Sequence, residues 1–545
     1  MLGALRGPAG LDARPRSAAP PLVGLFPSRP GRPQGVKATR YNILNAGRRV
    51  LPPVALSRGA VNGRSMSVLR ENYATWLVGS HELSLARPRI MGILDVTPEA
   101  FPDGKGGVDT KAAAERGLEM LDEGADIIDV GAAPVVPGQE PLASNEEAER
   151  VVPVIRALVA EGAIVSVNTT HPDVAKMCVR LGASIVNDAT GFTNPDMVQV
   201  AAETDCGCVV MHWEHAGLGS HAPRREVLLD DSRPTRSAAP RPMTSQHRFT
   251  LPDEAPIMRQ VMGFLGDQAR TLMRAGVAHD RICLDPGAGF DKFADEDVVI
   301  QRATRSMASM GYPLLAAVSR RSFVGAIAGA AQPGQMDPAT YGICISSIQN
   351  GARILRVHDV AGTAQAVNAF WAVSHKDSRQ GFVALGSNVG DRLANITRAV
   401  QMIDDIPLTC VVSVSHAYET EPAYGIKTPV ADAVAEIRTE LHPLVLMGQL
   451  LAVEDALGRE RNPEEAGHGP RTIDCDLVWV EGETHAGKRL TLPHPGLGER
   501  DFVLVPMEDL MHDPVRFLRH SGVNVVDPDD RVGHVTDDLG EIVWE

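Results

Sequence analysis

Between Arg87 and Trp371 the chain repeats one pattern eight times, a short apolar run followed by a longer stretch of mixed polarity. The apolar runs predict buried strands, which are Ile90–Leu94, Ile127–Val130, Ile164–Val167, Ser184–Val186, Cys208–Met211, Ile282–Leu284, Leu314–Val318 and Ile354–Val357. Amphipathic helices are predicted between them, at 110–124, 145–160, 172–181, 257–276, 338–350 and 361–372. Strands alternating with helices in this way predict a closed (β/α)8 barrel, the TIM-barrel fold of the α/β class.

Polar side chains follow the predicted strands, at the edge where barrels of this kind carry out their chemistry. They are Thr97, Asn168, Asn187, Asp188, His212, Asp285, Ser319 and His358. The stretch 215–255 is polar and contains prolines, and it predicts a long loop. An active site is therefore expected at the carboxyl-terminal end of the barrel. For His212 we prefer the interpretation of a strand-end histidine bonded to backbone carbonyls.

A polar linker, residues 374–380, separates the barrel region 66–373 from a second unit at 381–545. The second unit has predicted strands at 382–386, 410–417, 433–438 and 474–479, and predicted helices at 391–404 and 443–457. Strands and helices that are mixed without strict alternation predict an α+β domain.

The second unit contains the segment Gly469-Pro470-Arg471-Thr472-Ile473-Asp474-Cys475-Asp476. On a strand, Asp474 and Asp476 face the same side, and paired carboxylates suit Mg²⁺. Basic residues that suit phosphate oxygens accompany them, namely Arg459, Arg461, Arg471, His494 and Arg500. The set predicts a site for magnesium and a triphosphate, against the alternative of an edge strand with solvated acids. The chain has no GxxxxGK[ST] segment, which excludes a P-loop as the source of an ATP site.

Ordered segments of this unit resemble 6-hydroxymethyl-7,8-dihydropterin pyrophosphokinase. They are Ala384-Leu385-Gly386-Ser387-Asn388, Tyr418-Glu419-Thr420-Glu421-Pro422, Gly458-Arg459-Glu460-Arg461, the segment with the paired carboxylates, Leu492-Pro493-His494-Pro495 and Arg500-Asp501-Phe502. The resemblance implies a ferredoxin-like fold and transfer of pyrophosphate from ATP to a hydroxymethyl-dihydropterin.

The same resemblance implies a role for each matched residue. Asp474 and Asp476 hold Mg²⁺, Phe502 stacks on the pterin, and Thr420 lies beside it. The residues that the resemblance places in contact with ATP or the transferred phosphates are Arg459, Arg461, Arg471, His494 and Arg500. A Phe-Leu-Asn segment that contacts the pterin in the family aligns with Val430-Ala431-Asp432. Asp432 is therefore expected to accept hydrogen bonds from the pterin but not to donate them.

The barrel region resembles dihydropteroate synthase. The matching segments are 90–101, Ile127-Ile128-Asp129-Val130-Gly131, Ile185-Val186-Asn187-Asp188, Leu284-Asp285-Pro286-Gly287, Ser319-Arg320-Arg321-Ser322 and Arg356-Val357-His358-Asp359. That family joins p-aminobenzoate to the pterin pyrophosphate that the kinase makes, and its barrels commonly pair, which implies a homodimer. The resemblance implies that the pterin is bound by Asn168, Asn187 and Asp285 and that the pyrophosphate is bound by Arg356 and His358. It places Arg321 near the pterin ring and the substrate, and it implies that Asp95 helps to bind Mg²⁺.

The barrel departs from the family in the loop after its second strand. The family sequence Gly-Glu-Ser-Thr-Arg-Pro-Gly is replaced by Ala132-Ala133-Pro134-Val135-Val136-Pro137-Gly138, which lacks the hydroxyl groups and the arginine. Two functions therefore stay open at this point. Either the chain is a bifunctional folate enzyme, or it is a pyrophosphokinase whose barrel binds pterin or acts as a scaffold. A pterin-dependent methyltransferase barrel is less favoured because no cobalamin-binding signature accompanies it.

The charge of the chain, −15 overall, is unevenly distributed. Residues 1–65 contain eleven Lys and Arg and one acid, Asp12, so the remainder carries −25. So acidic a body repels nucleic acid, and the chain has no apolar run of the ~20 residues that a membrane helix requires. Seven scattered cysteines indicate reduced thiols and a cytoplasmic protein. Residues 1–65 are expected to be a disordered tail, or to precede a true start at Met66, rather than to be a targeting peptide.

Overall fold

Eight parallel strands form one sheet in the structure, a computed structural model that describes residues 75–102, 104, 107–132, 142–213, 255–459 and 469–544. After a hairpin of β1 (Thr75–Val78) and β2 (His81–Ser84), the sheet consists of β3 (Arg89–Asp95), β4 (Ile127–Gly131), β5 (Val165–Asn168), β6 (Ile185–Asp188), β7 (Gly207–Met211), β8 (Ile282–Asp285), β9 (Leu315–Ala316) and β10 (Ile354–Val357). Neighbours follow the order β8-β7-β6-β5-β4-β3-β10-β9, and a bridge between Leu284 and Leu314 joins the two ends. The predicted (β/α)8 barrel is confirmed.

Helices connect the strands of the barrel. They are α1 (Thr110–Glu123), α2 (Ser144–Ala160), α3 (Pro172–Arg180), α4 (Pro195–Glu203), α5 (Pro256–Arg274), α6 (Ala294–Arg302), α7 (Thr304–Ala308), α8 (Ser322–Ala328), α9 (Asp337–Gln349) and α10 (Val360–Ser374). The six predicted helices are confirmed to within two residues, and α4, α6, α7 and α8 were not among them. The predicted loop 215–255 lies almost wholly outside the described residues, as do residues 1–74.

The outer helices pack closely on one another and on the sheet. Asp109 begins α1 by accepting a hydrogen bond from the amide of Ala112 at 3.1 Å, which satisfies one of the free amides of the first turn. A Cβ at Gly117 of α1 would lie 2.8 Å from Leu158 of α2, so a larger residue there would force the Leu158 side chain to shift. Leu158 and Ile155 are fully buried, and each contributes about 1.5–3 kcal/mol by leaving water.

The hairpin β1–β2 closes the amino-terminal end of the barrel. Trp76 and Val78 are fully buried and pack against Met91, Ile127 and other residues at the starts of the barrel strands. The Trp76 indole Nε1 donates a hydrogen bond to the carbonyl of Arg281 at 3.1 Å. Sequence reasoning missed this hairpin, because it precedes the repeating pattern and has no helix after it. The end of the barrel opposite the predicted active site is therefore filled with apolar side chains.

The second unit is built on one antiparallel sheet. Its strands are β11 (Arg379–Ser387), β12 (Thr409–Val414), β13 (Ala417–Thr420), β14 (Val430–Thr439) and β15 (Asp474–Val480), with the small pair β16 (His485–Ala486) and β17 (Thr491–Leu492) beside them and β18 (Val535–Gly540) at the edge. Its helices are α11 (Arg392–Asp404), α12 (Pro443–Ala456), α13 (Asp501–Leu510) and α14 (Pro514–His520). The order β15-β11-β14-β13-β18, with β12 also on β14, gives the β-α-β-β-α-β pattern of a ferredoxin-like fold.

Part of the prediction for this unit was wrong. The predicted strand 410–417 is two strands, because Ser415 interrupts it and its Oγ accepts a hydrogen bond from the Val434 amide at 2.9 Å. The strand β18 and the helices α13 and α14 were missed. No helix of the described residues is long and apolar enough to span a membrane.

Candidate active sites

The carboxyl-terminal ends of the barrel strands surround a cleft of about 730 Å³, its open mouth included. The seven barrel residues to which the resemblance gives a role all line this cleft, namely Asp95, Asn168, Asn187, Asp285, Arg321, Arg356 and His358. Of the other polar residues predicted at this edge, Ser319 lines the cleft, whereas Thr97, Asp188 and His212 do not. Asn168, Asp188 and Asp285 are the last residues of their strands, and Asn187 is the second-to-last residue of β6, which corrects the predicted boundaries. Their positions are therefore fixed by the sheet.

A buried carboxylate that sequence reasoning missed organises the floor of this cleft. Asp129, in the middle of β4, is fully buried and accepts a hydrogen bond from Arg356 Nε at 2.7 Å. Asn187 Nδ2 donates to both of its oxygens, at 3.3 and 3.2 Å. Burial opposes the charge of Arg356, but the nearby carboxylates, that of Asp129 first, offset this and raise its pKa. The signal in the sequence was an acid within the apolar run Ile127–Gly131.

Two polar side chains of the cleft, Asp285 and Asn168, differ in whether a hydrogen bond within the protein already holds them. Asp285 Oδ1 accepts from the Gly287 amide at 2.7 Å, and burial raises the pKa of its carboxyl. The Asn168 Oδ1 is buried and has no hydrogen-bond partner in the structure. A buried acceptor without a partner is costly unless a ligand supplies the donor. The cleft thus offers hydrogen-bonding groups to the edge of a ring.

Cations and one neutral imidazole lie at the other side of the cleft. The Arg321 guanidinium lies 4.7 Å from the centre of the Phe290 ring, and burial, followed by the charge of Arg356, lowers its pKa to about 10. His358 Nδ1 and Ser319 Oγ are 3.0 Å apart. Burial and then the charge of Arg356 lower the pKa of His358 to about 4, so its ring is neutral at pH 7. Two guanidinium groups and an imidazole suit an anionic group of the ligand.

Lys292 is a second residue that sequence reasoning missed. Its buried ammonium donates to three carbonyls, those of His212 at 3.2 Å, Gly287 at 2.7 Å and Phe290 at 2.9 Å. These bonds hold the loop that follows β8 against the end of β7. The His212 ring has no partner for Nδ1 and lies edge-on to Phe264, so the expected bonds to backbone carbonyls are wrong for that atom.

In the second unit, the alternation of the strands places the predicted acids on one face of the sheet. Asp474 and Asp476 point away from the core that α11 and α12 cover, because Cys475 between them is buried in that core. Arg471 Nη1 donates to Asp474 Oδ2 at 2.5 Å, and Arg459 bonds the other oxygen of the same carboxylate. Burial and the charge of Asp474 raise the pKa of Asp476 to about 6. The charge of Asp474 disfavours ionisation of Asp476, and a cation bound by both carboxylates would relieve this repulsion.

Further cationic and aromatic groups surround the two acids. Arg500 Nη1 lies 3.5 Å from Asp476 Oδ2, and its guanidinium is 5.5 Å from the centre of the Phe502 ring. His494 Nδ1 accepts from the Gly496 amide at 3.1 Å, and burial lowers the pKa of its ring to about 4. The buried Nε atoms of Arg471 and Arg500 have no partner. Arg461 lies outside the described residues, as do residues 133–138 of the altered barrel loop.

Asp432 is placed on the same face of the sheet. Its carboxyl is 6% exposed and accepts from the Thr420 hydroxyl at 2.5 Å. A Cβ at Gly386 would lie 2.9 Å from Asp432 Oδ1, so a larger residue there would displace the Asp432 carboxyl. Burial raises the pKa of Asp432 to about 7, although the Thr420 bond opposes the shift. The raised pKa favours the protonated form of Asp432, which is able to donate one hydrogen bond as well as accept, a property that the sequence did not indicate.

Both parts of the chain are similar to known proteins. The family profile described as pterin binding enzyme matches residues 91–358, and the profile described as 7,8-dihydro-6-hydroxymethylpterin-pyrophosphokinase matches 382–512. A dihydropteroate synthase of Synechocystis sp. is 32% identical over 290 residues, 52% of this chain and 91% of that protein. One of Bacillus subtilis is 32% identical over 289 residues, 53% of this chain and 89% of that protein. A solved dihydropteroate synthase of Xanthomonas albilineans, in complex with 7,8-dihydropteroate, is 30% identical, with 55% of this chain and 98% of that chain covered and a TM-score of 0.45.

Fold and clefts together define a two-domain transferase with a pterin-binding TIM barrel and a kinase domain. Through its barrel the chain belongs to the dihydropteroate synthase family, and its second unit is a 7,8-dihydro-6-hydroxymethylpterin-pyrophosphokinase domain. The predicted fusion, with the barrel first, is confirmed.

Proposed function

We propose that the chain catalyses two consecutive steps of folate biosynthesis. The kinase domain transfers pyrophosphate from ATP to 6-hydroxymethyl-7,8-dihydropterin, and the barrel joins the product to p-aminobenzoate to give dihydropteroate. The observation that carries the proposal is the convergence of all seven predicted barrel residues on one cleft, in a chain whose second domain groups Asp474 and Asp476 with arginines.

In the kinase domain the residues present fit magnesium. Asp474 and Asp476 supply hard oxygen ligands on one face of β15, and both already lie against cationic groups. Magnesium would neutralise the charge of the triphosphate during transfer. Arg459, Arg471 and Arg500 then bind phosphate oxygens, and the unpartnered Nε atoms of Arg471 and Arg500 are available donors.

The pterin of the kinase site is proposed to lie between Phe502 and the pair of Thr420 and Asp432. Phe502 is the second residue of α13, and its ring lies beside the Arg500 guanidinium on this side of the sheet. Asp432 binds N–H groups of the pterin as a carboxylate, and as a protonated acid it also donates one hydrogen bond, as an amide does. Its partial protonation near pH 7 therefore compensates for the amide that the family has at this position.

In the barrel, Asn168, Asn187 and Asp285 are proposed to bind the pterin edge. Arg356, His358 and Arg321 bind the pyrophosphate, and Asp95 is a carboxylate ligand that suits Mg²⁺ beside it. The C–O bond between the pterin methylene and pyrophosphate breaks with its electron pair on the leaving oxygen. The two guanidinium groups stabilise the charge that develops there. The arylamine nitrogen then bonds to the methylene carbon and loses a proton to solvent.

The test of the synthase supplies the purified protein with pterin pyrophosphate, Mg²⁺ and p-aminobenzoate and follows dihydropteroate by mass spectrometry. Dihydropteroate is expected, and its formation should disappear in Asp285→Ala. A parallel reaction with ATP and hydroxymethyl-dihydropterin should yield AMP. AMP without dihydropteroate would instead support the second candidate, a kinase whose barrel binds pterin, which the altered residues 132–138 favour.

A cytoplasmic location and a homodimer are also proposed. All seven cysteines are free thiols and six are buried, as expected of a protein in a reducing compartment. The dimer rests on the resemblance of the barrel alone. Light scattering during gel filtration should give twice the chain mass of 58.3 kDa. A measured mass equal to that of one chain would contradict the proposed dimer.

A further inference from the structure

The kinase domain is fixed to one end of the barrel by a buried network of ion pairs. Arg89 Nη1 donates to Glu483 Oε2 of the kinase domain at 2.7 Å and to Asp126 Oδ1 of the barrel at 2.9 Å. Arg379 of the kinase domain bonds the other oxygen of Glu483. The side chains of Arg89, Glu483, Asp126 and Arg379 are all less than one-tenth exposed. Removing one member of such a network leaves buried charges without partners, so the junction is held firmly.

The barrel residues of this junction mark which end of the barrel is covered. Arg89 is the first residue of β3, and Asp126 immediately precedes β4. Asp122 accepts from the Arg489 amide at 2.8 Å just before the same strand. The cleft lies at the opposite ends of the strands, where Asp95 is the last residue of β3. Arg89 and Asp95 are six positions apart on β3, which amounts to about 20 Å along the strand.

The kinase site also lies at the far end of its own domain. Strand β11 begins at Arg379, in the junction, and reaches Gly386 between Asp432 and Asp474. That path is about 23 Å of extended strand. Strand β15 runs the other way, from Asp474 to Val480, and Glu483 follows its end. Both strands therefore place the junction and the kinase site at opposite ends of the sheet, so in each domain the active site lies at the end remote from the junction.

In the part of the chain that the structure describes, no route through the barrel connects the two sites. The hairpin β1–β2 fills the covered end of the barrel with Trp76, Val78 and Leu83, which are 0–3% exposed. A route over the surface is not favoured by charge, since the chain beyond residue 65 carries −25 and the intermediate is itself an anion.

We propose that the kinase domain acts as a fixed cap on the closed end of the barrel, and that the pterin pyrophosphate passes from kinase to synthase through bulk solvent rather than by direct transfer. The inference rests on the proposed function, because it requires both reactions. On this proposal the fusion ensures that the two activities are produced in equal amounts, and it does not provide a path for the intermediate between the two sites.

An isotope-dilution experiment on the full chain tests this proposal. Labelled hydroxymethyl-dihydropterin, ATP, Mg²⁺ and p-aminobenzoate are supplied together with unlabelled pterin pyrophosphate, and labelled and unlabelled dihydropteroate are measured by mass from the earliest turnovers. The labelled fraction of the product is expected to equal the labelled fraction of the dissolved pterin pyrophosphate. Product that keeps the label undiluted would overturn the inference alone, whereas no dihydropteroate under any condition would overturn the proposed function and the inference with it.

A mixing experiment gives a second readout without added intermediate. Full-length Asp474→Asn, which lacks kinase activity, is mixed with full-length Asp285→Asn, which lacks synthase activity, at the site concentrations of the wild-type protein. Each variant is first shown to retain its other activity, which demonstrates that it folds. The lag before dihydropteroate forms at a constant rate should match that of the wild-type protein within twofold. A lag at least tenfold longer in the mixture would contradict transfer through solvent.

Discussion

Arg356 and Asp129, which are 227 residues apart in the chain, form a buried hydrogen-bonded ion pair beneath the barrel cleft, with Arg356 Nε 2.7 Å from Asp129 Oδ2. The pair fixes the guanidinium that faces the cleft, and the same carboxylate orients the Asn187 amide. The positions of two cleft-lining side chains, Arg356 and Asn187, therefore depend on Asp129, which does not itself line the cleft.

The substitution Asp129→Asn should impair the synthase and destabilise the barrel. Arg356 would lose its closest carboxylate in a buried position, which costs about 3 kcal/mol of unfolding free energy. The KM for pterin pyrophosphate should rise about tenfold or more, because the guanidinium is no longer fixed. Urea titration and steady-state kinetics with supplied pterin pyrophosphate measure the two effects. As a control, Lys111→Ala removes an exposed ion pair of α1 and should change stability by less than about 0.5 kcal/mol.

Arg321 offers a test of charge against shape. Arg321→Lys keeps the positive charge but loses the planar stacking on Phe290, which is worth about 1–2 kcal/mol at a buried site. The kcat/KM of the synthase should therefore fall about tenfold in Arg321→Lys and about a hundredfold or more in Arg321→Met. Kinase activity in the same preparations should be unchanged. Equal losses in the two variants would show that the stacking, and not the charge, is what the site requires.

The sequence allowed most of the barrel to be predicted because the signal is local. Each apolar run is a strand, and polar residues at strand ends, such as Asn168 and Asp285, must meet at one mouth once the sheet closes. The pairing of Arg356 with Asp129 was not predictable, because nothing within either segment indicates a partner 227 residues away. The pKa of Asp432 was likewise hidden, because it depends on burial by strands that are distant in the chain.

The kinase site should be separable from the synthase by substitution of its paired acids. Asp474→Asn and Asp476→Asn each remove a carboxylate that is proposed to bind Mg²⁺, and the charge of the transferring phosphates would lose several kcal/mol of stabilisation. AMP formation should fall at least about a thousandfold, while dihydropteroate formation from supplied pterin pyrophosphate stays within twofold of wild type. Asp537→Asn, an exposed acid on β18 of the same sheet, is the matched control and should leave both activities intact.

Asp432 should make the stability of the kinase domain dependent on pH. Burial raises the pKa of its carboxyl from 3.8 to about 7 in the folded protein, so the folded state binds a proton that the unfolded state has released between these values. The stabilising contribution of that proton is present below about pH 4 and is lost as the pH rises through 7. Asp432→Asn removes the titration and keeps the shape of the side chain. Its stability relative to wild type should therefore rise by about 2–3 kcal/mol between pH 5 and pH 8, as measured by urea titration at both values. The control Asp537→Asn should show no such change, and a pH-independent difference between Asp432→Asn and wild type would mean that Asp432 is ionised throughout this range.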